Sequence, residues 1–323
     1  MNKIPGGSKN MKISKMDKFY KYMRTYSWKL IRSVLITGIC FIIIYPFLMK
    51  LSSSFMVRKE IFDMTVKWIP KNPTLKNYYQ VFISMNYLKS LKNSLILTVT
   101  VSCLQLISCT VIGYGFARFK FKGKGLAFGL VIFTLLVPPQ LNMTPLYLNF
   151  RFFNFFGLLG KEGINLINSY WPFILTSLTG TAYKNGLFIF IMRQFFRGMP
   201  TGLEEAAYVD GAGPLKTFFK VMLPGALPAM LIVFLFSFVW QWNDLLYTSL
   251  FISGGDFLPF SLSNIINDFQ RFSTSVLGKS LTAEKASIVT NTGVVMFILP
   301  LLVLYGFLQR YFIESIERTG LVG

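Results

Sequence analysis

Six stretches of this 323-residue chain run for 17 to 25 residues with little or no charge: Ser33 to Met49, Asn93 to Ala117, Leu126 to Phe150, Tyr170 to Met192, Ala226 to Leu246 and Ser287 to Leu308. In hydrocarbon every backbone N–H and C=O must find a partner inside the protein, and a single apolar segment does that only as a helix. At about 1.5 Å per residue the shortest stretch gives roughly 25 Å of helix, enough to span once a few flanking residues are added. Only 14% of the residues are charged, against 53% apolar and 17% aromatic, which leaves too little polar surface for a soluble globule of this length. The expected fold is therefore all-α, a polytopic membrane protein with six transmembrane helices.

The charges between the stretches orient them. Met1 to Arg32 carries nine Lys or Arg against the single Asp17, and the positive-inside rule leaves it in the cytoplasm, with Tyr20, Tyr22, Tyr26 and Trp28 suited to the interface. Arg118 to Lys124 adds four bases and no acid. Counted over this topology, 19 Lys or Arg lie inside and 14 outside, although the inside segments are the shorter in total. Both termini are then cytoplasmic. The formal charge of +20 belongs to these membrane flanks; no aromatic-basic face or nucleic-acid module accompanies it, so lipid is an expected partner and nucleic acid is not.

Other chemistry is excluded by type and spacing. There is no histidine, and Cys40, Cys103 and Cys109 lie inside apolar stretches without C-x-x-C spacing, so neither zinc nor disulfides are expected. No small-residue cleavage pattern follows the first stretch, which reads as a retained anchor. Nucleophile–base sets and paired acids are missing, which argues against an enzyme.

Two stretches are interrupted. Pro138, Pro139 and Pro145 break the third, either beside a pathway or as a kink that shapes packing. Lys184 lies inside the fourth, where a charge is costly unless it faces a cavity or the true span starts later, after a re-entrant segment. Gln140 and Asn142, between the prolines, and Trp240, Gln241, Trp242, Asn243 and Asp244, at the end of the fifth stretch, are candidate pathway residues. Aromatic faces, amides and an acid are what a sugar would use; interfacial anchoring is the other reading of the two tryptophans.

The interval from Glu204 to Pro224 is the long polar-containing segment between two apolar stretches. Glu205, Ala206 and Ala207 favour helix, Asp210-Gly211 breaks it, and Pro214 suits the first turn of a second helix. Glu205-Ala206-Ala207, Gly211, Val221 and Leu223-Pro224 stand at the spacing E-A-A, three residues, G, nine residues, an aliphatic, one residue, L-P. In this the chain resembles the permease subunits of bacterial ABC importers, and the flanks Arg193 to Phe196 and Asp210 to Ala212 resemble the carbohydrate branch, the MalG-type subunit of maltose-like systems. The resemblance runs from the first span to the tail.

That resemblance implies a permease subunit in the bacterial cytoplasmic membrane, importing a sugar or oligosaccharide. Its partners would be a second homologous permease, two ATP-binding cassette subunits and an extracytoplasmic solute-binding protein. It assigns coupling to the ATPases to Glu204, Glu205, Ala206, Ala207, Asp210, Gly211, Val221, Leu223 and Pro224. No cofactor is expected in this chain: the sequence lacks G-x-x-x-x-G-K-[ST], Gly278-Lys279-Ser280 being a near miss with Ser273 at the first glycine's place, so ATP would be bound by the partner subunits. The implied organisation is a basic segment 1–32, a permease domain 33–308 with its coupling loop at 198–225, and a cytoplasmic tail 309–323. The tail departs from the frequent ending G-[AS]-V-K-G in lacking the lysine. The alternative function is an ion- or proton-coupled secondary transporter, which would need an intramembrane ionisable relay.

Overall fold

The structure is a computed structural model that describes residues 15–63, 65–66, 68–155, 157–158, 160, 162–278 and 280–320. Part of the basic segment (1–14), Lys279 of the near-miss phosphate loop and the last three tail residues lie outside the described residues. The described residues are helical throughout their ordered elements, with one isolated antiparallel bridge, Phe153 to Ile164, and no strand.

A long first helix, α1 (Lys15–Ser54), continues well before the expected span, taking in half of the basic segment. It packs against the C-terminal helix and is tied to it by Lys50 Nζ, which donates to Asn291 Oδ1 at 3.4 Å; its other faces are exposed, as a lipid-facing helix requires. After a loop and the short α2 (Lys76–Ser84) comes α3 (Tyr87–Arg118), the pillar of the fold. Ser90, Ser94, Thr98 and Ser102 recur every fourth residue along it and are all buried. Small side chains at that spacing form one stripe along a helix and let neighbours approach closely. Ser94 Oγ accepts the Leu258 N–H at 2.8 Å, and Ser90 Oγ pairs with Ser261 Oγ at 3.0 Å.

The third apolar stretch forms two helices, α4 (Lys124–Leu136) and α5 (Pro139–Arg151), bent by 105°. Val137 and Pro138 each precede a proline and each is extended (ψ 119° and 132°), because proline's ring crowds the helical conformation of the residue before it. Of the two readings of this stretch, the structure shows a break and not a mild kink: α5 runs across the direction of α4.

The fourth stretch is likewise divided, into α6 (Trp171–Leu178) and α7 (Asn185–Gly198), with Gly180 and Lys184 both at positive φ between them. Of the two readings of this stretch, the structure takes the shorter helix preceded by an entry segment. Helix α7 lies against α3, where a Cβ on Gly113 would come within 2.6 Å of Met192 Cβ; the close approach requires glycine.

The chain continues through α8 (Gly202–Val209), α9 (Pro214–Thr217), a π-helical turn (Phe218–Met222) and α10 (Leu223–Gly225) into α11 (Leu227–Trp242), with a 73° bend at Ala226. Three short helices, α12 (Leu246–Phe251), α13 (Leu258–Ser263) and α14 (Ile265–Leu277), precede α15 (Ala283–Gly320), which carries the expected tail on as helix. Among the described residues three helices are long and apolar enough to cross a membrane alone, and up to five segments if each bent pair is one span. The fourth stretch is what separates this count from six, because its break leaves α7 with 14 residues, about 21 Å of helix.

Candidate functional site

Residues 198–225 build a knob from two short helices. Glu204 and Glu205 lie in the first turn of α8, where exposed N–H groups favour negative charge. The helix ends at Asp210, and Gly211, at φ +75°, closes it: Gly211 N–H donates to Tyr208 O at 3.0 Å and Ala212 N–H to Ala207 O at 2.9 Å. This is the left-handed glycine cap, satisfying two carbonyls that the helix leaves open. Pro214 then starts α9, having no N–H to lose in a first turn.

Consecutive helical residues point about 100° apart, so Glu204 and Glu205 do not share a face. Glu204 turns inward and is 9% exposed. Its Oε1 accepts the Tyr114 hydroxyl at 2.9 Å, and its Oε2 lies 3.3 Å from Arg118 Nε as an ion pair. The same guanidinium donates from Nη2 to Met199 O at 2.8 Å. The Tyr114 ring is held edge-on by Phe119 and Phe196 and tilted against Phe218. The carboxylate of Glu204 is therefore used inside the chain, locking the knob to the end of α3. Ala207 is buried beside it.

Glu205, Ala206, Asp210 and Gly211 are exposed. Around them Val209 is 87%, Leu215 76% and Phe219 60% exposed, so the outer side of the knob shows apolar side chains among the charges of Glu205, Asp210, Lys216 and Lys220. Val221 and Leu223 are half-buried against the cluster of Phe196, Phe218 and Met222, while Pro224 is exposed. The first two anchor the return of the loop rather than forming its outer face.

Away from the knob, a cavity of about 830 Å³ is walled by α3 to α7, α11 and α12. Asn142, Trp240, Gln241, Asn243 and Asp244 line it; Gln140 and Trp242 do not. Residues two apart on a helix point about 200° apart, so neither Gln140 with Asn142 nor Trp242 with Trp240 can face the same space. Trp242 is 1% exposed, stacks near Phe238 and donates its indole N–H to Phe297 O at 3.2 Å. It is a core residue, neither a pathway group nor an interfacial anchor. Trp240 stacks on Phe188 and Phe236.

Asp244 accepts the N–H of Tyr247 at 3.2 Å and both the N–H and hydroxyl of Thr248 at 2.8 Å, capping α12. Gln105 and Ser237 hydrogen-bond to each other on the wall. Lys184 also lines the cavity, its ammonium 4.4 Å from the Tyr183 ring centre and 4.9 Å from that of Trp240. The cation that the sequence places inside an apolar stretch thus faces a cavity, one of the readings open for it. Among the described residues no group of His, Cys, Asp and Glu could hold a metal ion.

A family model described as "Binding-protein-dependent transport system inner membrane component" matches residues 110–318. An osmoprotective compounds uptake permease protein, GgtD, of Synechocystis sp. is 32% identical over 91% of this chain and 92% of its own length. The arabinooligosaccharides transport system permease protein AraQ of Halalkalibacterium halodurans is 28% identical over 88% of this chain and 93% of its own. The galactooligosaccharides transport system permease protein GanQ of Bacillus subtilis is 26% identical over 93% and 98%. A similar fold, with a TM-score of 0.71 at 22% identity over 93% of this chain and 98% of the other, occurs in the crystal structure of a bacterial ABC transporter involved in the import of the acidic polysaccharide alginate.

Proposed function

From the premise that this chain belongs to the binding-protein-dependent transport system inner membrane component family, we propose that it is one half of the translocation pathway of an oligosaccharide importer. As an ABC importer permease it works with ATPase subunits and a solute-binding protein, and the ion-coupled alternative falls away with that membership. The finer assignments are these: a related but non-identical second permease, two ATPases, six spans with both termini in the cytoplasm, and the knob of residues 198–225 as the seat of the ATPase. Carbohydrate as cargo is supported by the names of AraQ and GanQ, and by a cavity lined by Trp240 and by the amide-bearing Asn142, Gln241 and Asn243.

The observation that carries the coupling assignment is the outer face of the knob. Val209, Leu215 and Phe219 are apolar and exposed at a loop where nothing in the chain requires them, and Gly211 and the Glu204 pair hold their backbone in one shape. Exposed apolar side chains grouped in this way mark a protein contact. Glu205 at the edge gives the contact an orientation. Glu205→Lys should leave the chain folded and inserted yet reduce co-purification of the ATPase at least about tenfold, since a like-charge contact can cost several kcal/mol. Unchanged assembly together with unchanged solute-stimulated hydrolysis would sink the assignment.

A further inference from the structure

The 830 Å³ cavity holds a cation that the protein does not neutralise. Among its lining residues the only charged side chains are Lys184 and Asp244. They are not an ion pair: no carboxylate lies within 4 Å of the Lys184 ammonium among the described residues. The Asp244 oxygens are occupied by three donors at the start of α12. The lysine is instead held in place by the faces of Tyr183 and Trp240, which fix its position without supplying an acceptor for its N–H bonds.

Two further atoms on the same wall lack partners. Ser177, 1% exposed, has a buried hydroxyl with no hydrogen bond, and the Gln241 amide nitrogen is also buried and unpartnered. Neither atom has surface open to the cavity, so it is the Lys184 ammonium, without an acceptor from the chain, that offers a place for a ligand group rich in acceptors. The cavity has room for a sugar-sized group, since pockets of about 300–1,000 Å³ hold small organic ligands.

We infer that this cavity takes an acidic sugar, with the carboxylate of a uronate unit on Lys184. The inference rests on the carbohydrate reading above and names the class of carbohydrate. A neutral sugar leaves the Lys184 ammonium without an anionic partner; a carboxylate forms the charge-assisted hydrogen bonds that the ammonium lacks.

The test uses the assembled complex of both permeases and the ATPases in nanodiscs, without the binding protein, so that selectivity at the receptor does not enter. Trigalacturonate and its fully methyl-esterified form have the same backbone and differ in charge; their binding is followed by calorimetry and by quenching of tryptophan fluorescence. Wild type should bind the acid at least about tenfold more tightly than the ester. Lys184→Asn, chosen because asparagine tolerates the left-handed backbone, should abolish that difference, and Lys184→Arg should keep most of it. Equal binding of acid and ester by wild type, or a preference for acid that survives Lys184→Asn in a correctly assembled complex, would overturn the inference. Failure of either probe to bind overturns it as well. Uptake of a neutral trisaccharide by vesicles carrying the whole system then separates the two readings: uptake leaves the carbohydrate assignment standing, and its absence for every sugar tried removes that assignment too.

Discussion

The two polar interiors of this protein are built on opposite terms. At the knob, Glu204, Arg118 and Tyr114 satisfy one another behind a ring of Phe119, Phe196 and Phe218, and only the outer face is left open. In the cavity, the Lys184 ammonium has no carboxylate among the described residues to meet it, and the Ser177 hydroxyl and Gln241 amide nitrogen within the wall are left without partners. A satisfied buried network fixes a shape, and that is what a part transmitting movement needs. An unsatisfied one costs stability until something fills it, which is what a binding place needs.

The comparison breaks most sharply at Glu204. Glu204→Ala leaves Arg118 charged at 10% side-chain exposure with no carboxylate beside it, and removing one partner of a buried ion pair costs about 3–5 kcal/mol. The expected result is a large loss of thermal stability in detergent and of assembled complex. Glu204→Ala combined with Arg118→Met should recover a good part of it, because the stranded charge is then gone. A single variant as stable as wild type would mean that the knob is not tied down by this pair. No comparable loss is expected from Lys184→Asn, which removes a charge that has no carboxylate partner in the chain.

A smaller effect separates the two tryptophans. Trp242→Phe deletes an indole hydrogen bond and leaves a gap in a closed core, and should destabilise by about 1–3 kcal/mol. Trp240→Phe removes part of a platform on the cavity wall and should cost less than about 1 kcal/mol, while weakening sugar binding. Thermal unfolding of both, beside ligand titration, checks the order. A reversed order would mean that the cavity and the core have been exchanged.

Spacing along the chain announced much of this. The knob was readable because its signals are local: a capping glycine, a proline at a first turn and helix formers between. The apolar stretches announced helices, and the prolines at 138 and 139 announced a break. What could not be read was direction. Glu204 and Glu205 are equivalent in sequence, and only the position of Arg118 and Tyr114 on α3 decides which one turns inward. The same holds for Gln140 with Asn142 and for Trp240 with Trp242, pairs that composition groups together and helix geometry drives apart. The 105° bend after α4 followed from residues known to disfavour helix, yet its size depends on packing that no local pattern contains.

Gly211 gives the finest test, because its substitution changes the shape of the knob without touching its contacts. At φ +75° it sits in a region where a side chain costs about 1–2 kcal/mol, and a β-branched one meets the highest strain. Nothing lies within 4 Å of where its Cβ would be, so no clash with the spans follows, and the Glu204 pair lies on the other side of α8. Gly211→Val should therefore lower stability modestly, reach the membrane and bind cargo in the cavity as wild type does. The cost falls on the cap: Gly211 N–H and Ala212 N–H lose their alignment to Tyr208 and Ala207, α8 frays at its end, and Val209 moves relative to Leu215 and Phe219. A rigid apolar face becomes a mobile one, which a partner must order at the expense of affinity. Solute-stimulated hydrolysis should then fall while ligand binding stays constant, separating the two interiors by one substitution. If hydrolysis and transport both persisted at the wild-type rate, the shape of the bend would have no part in coupling, and the tight order around Glu204 would serve stability alone.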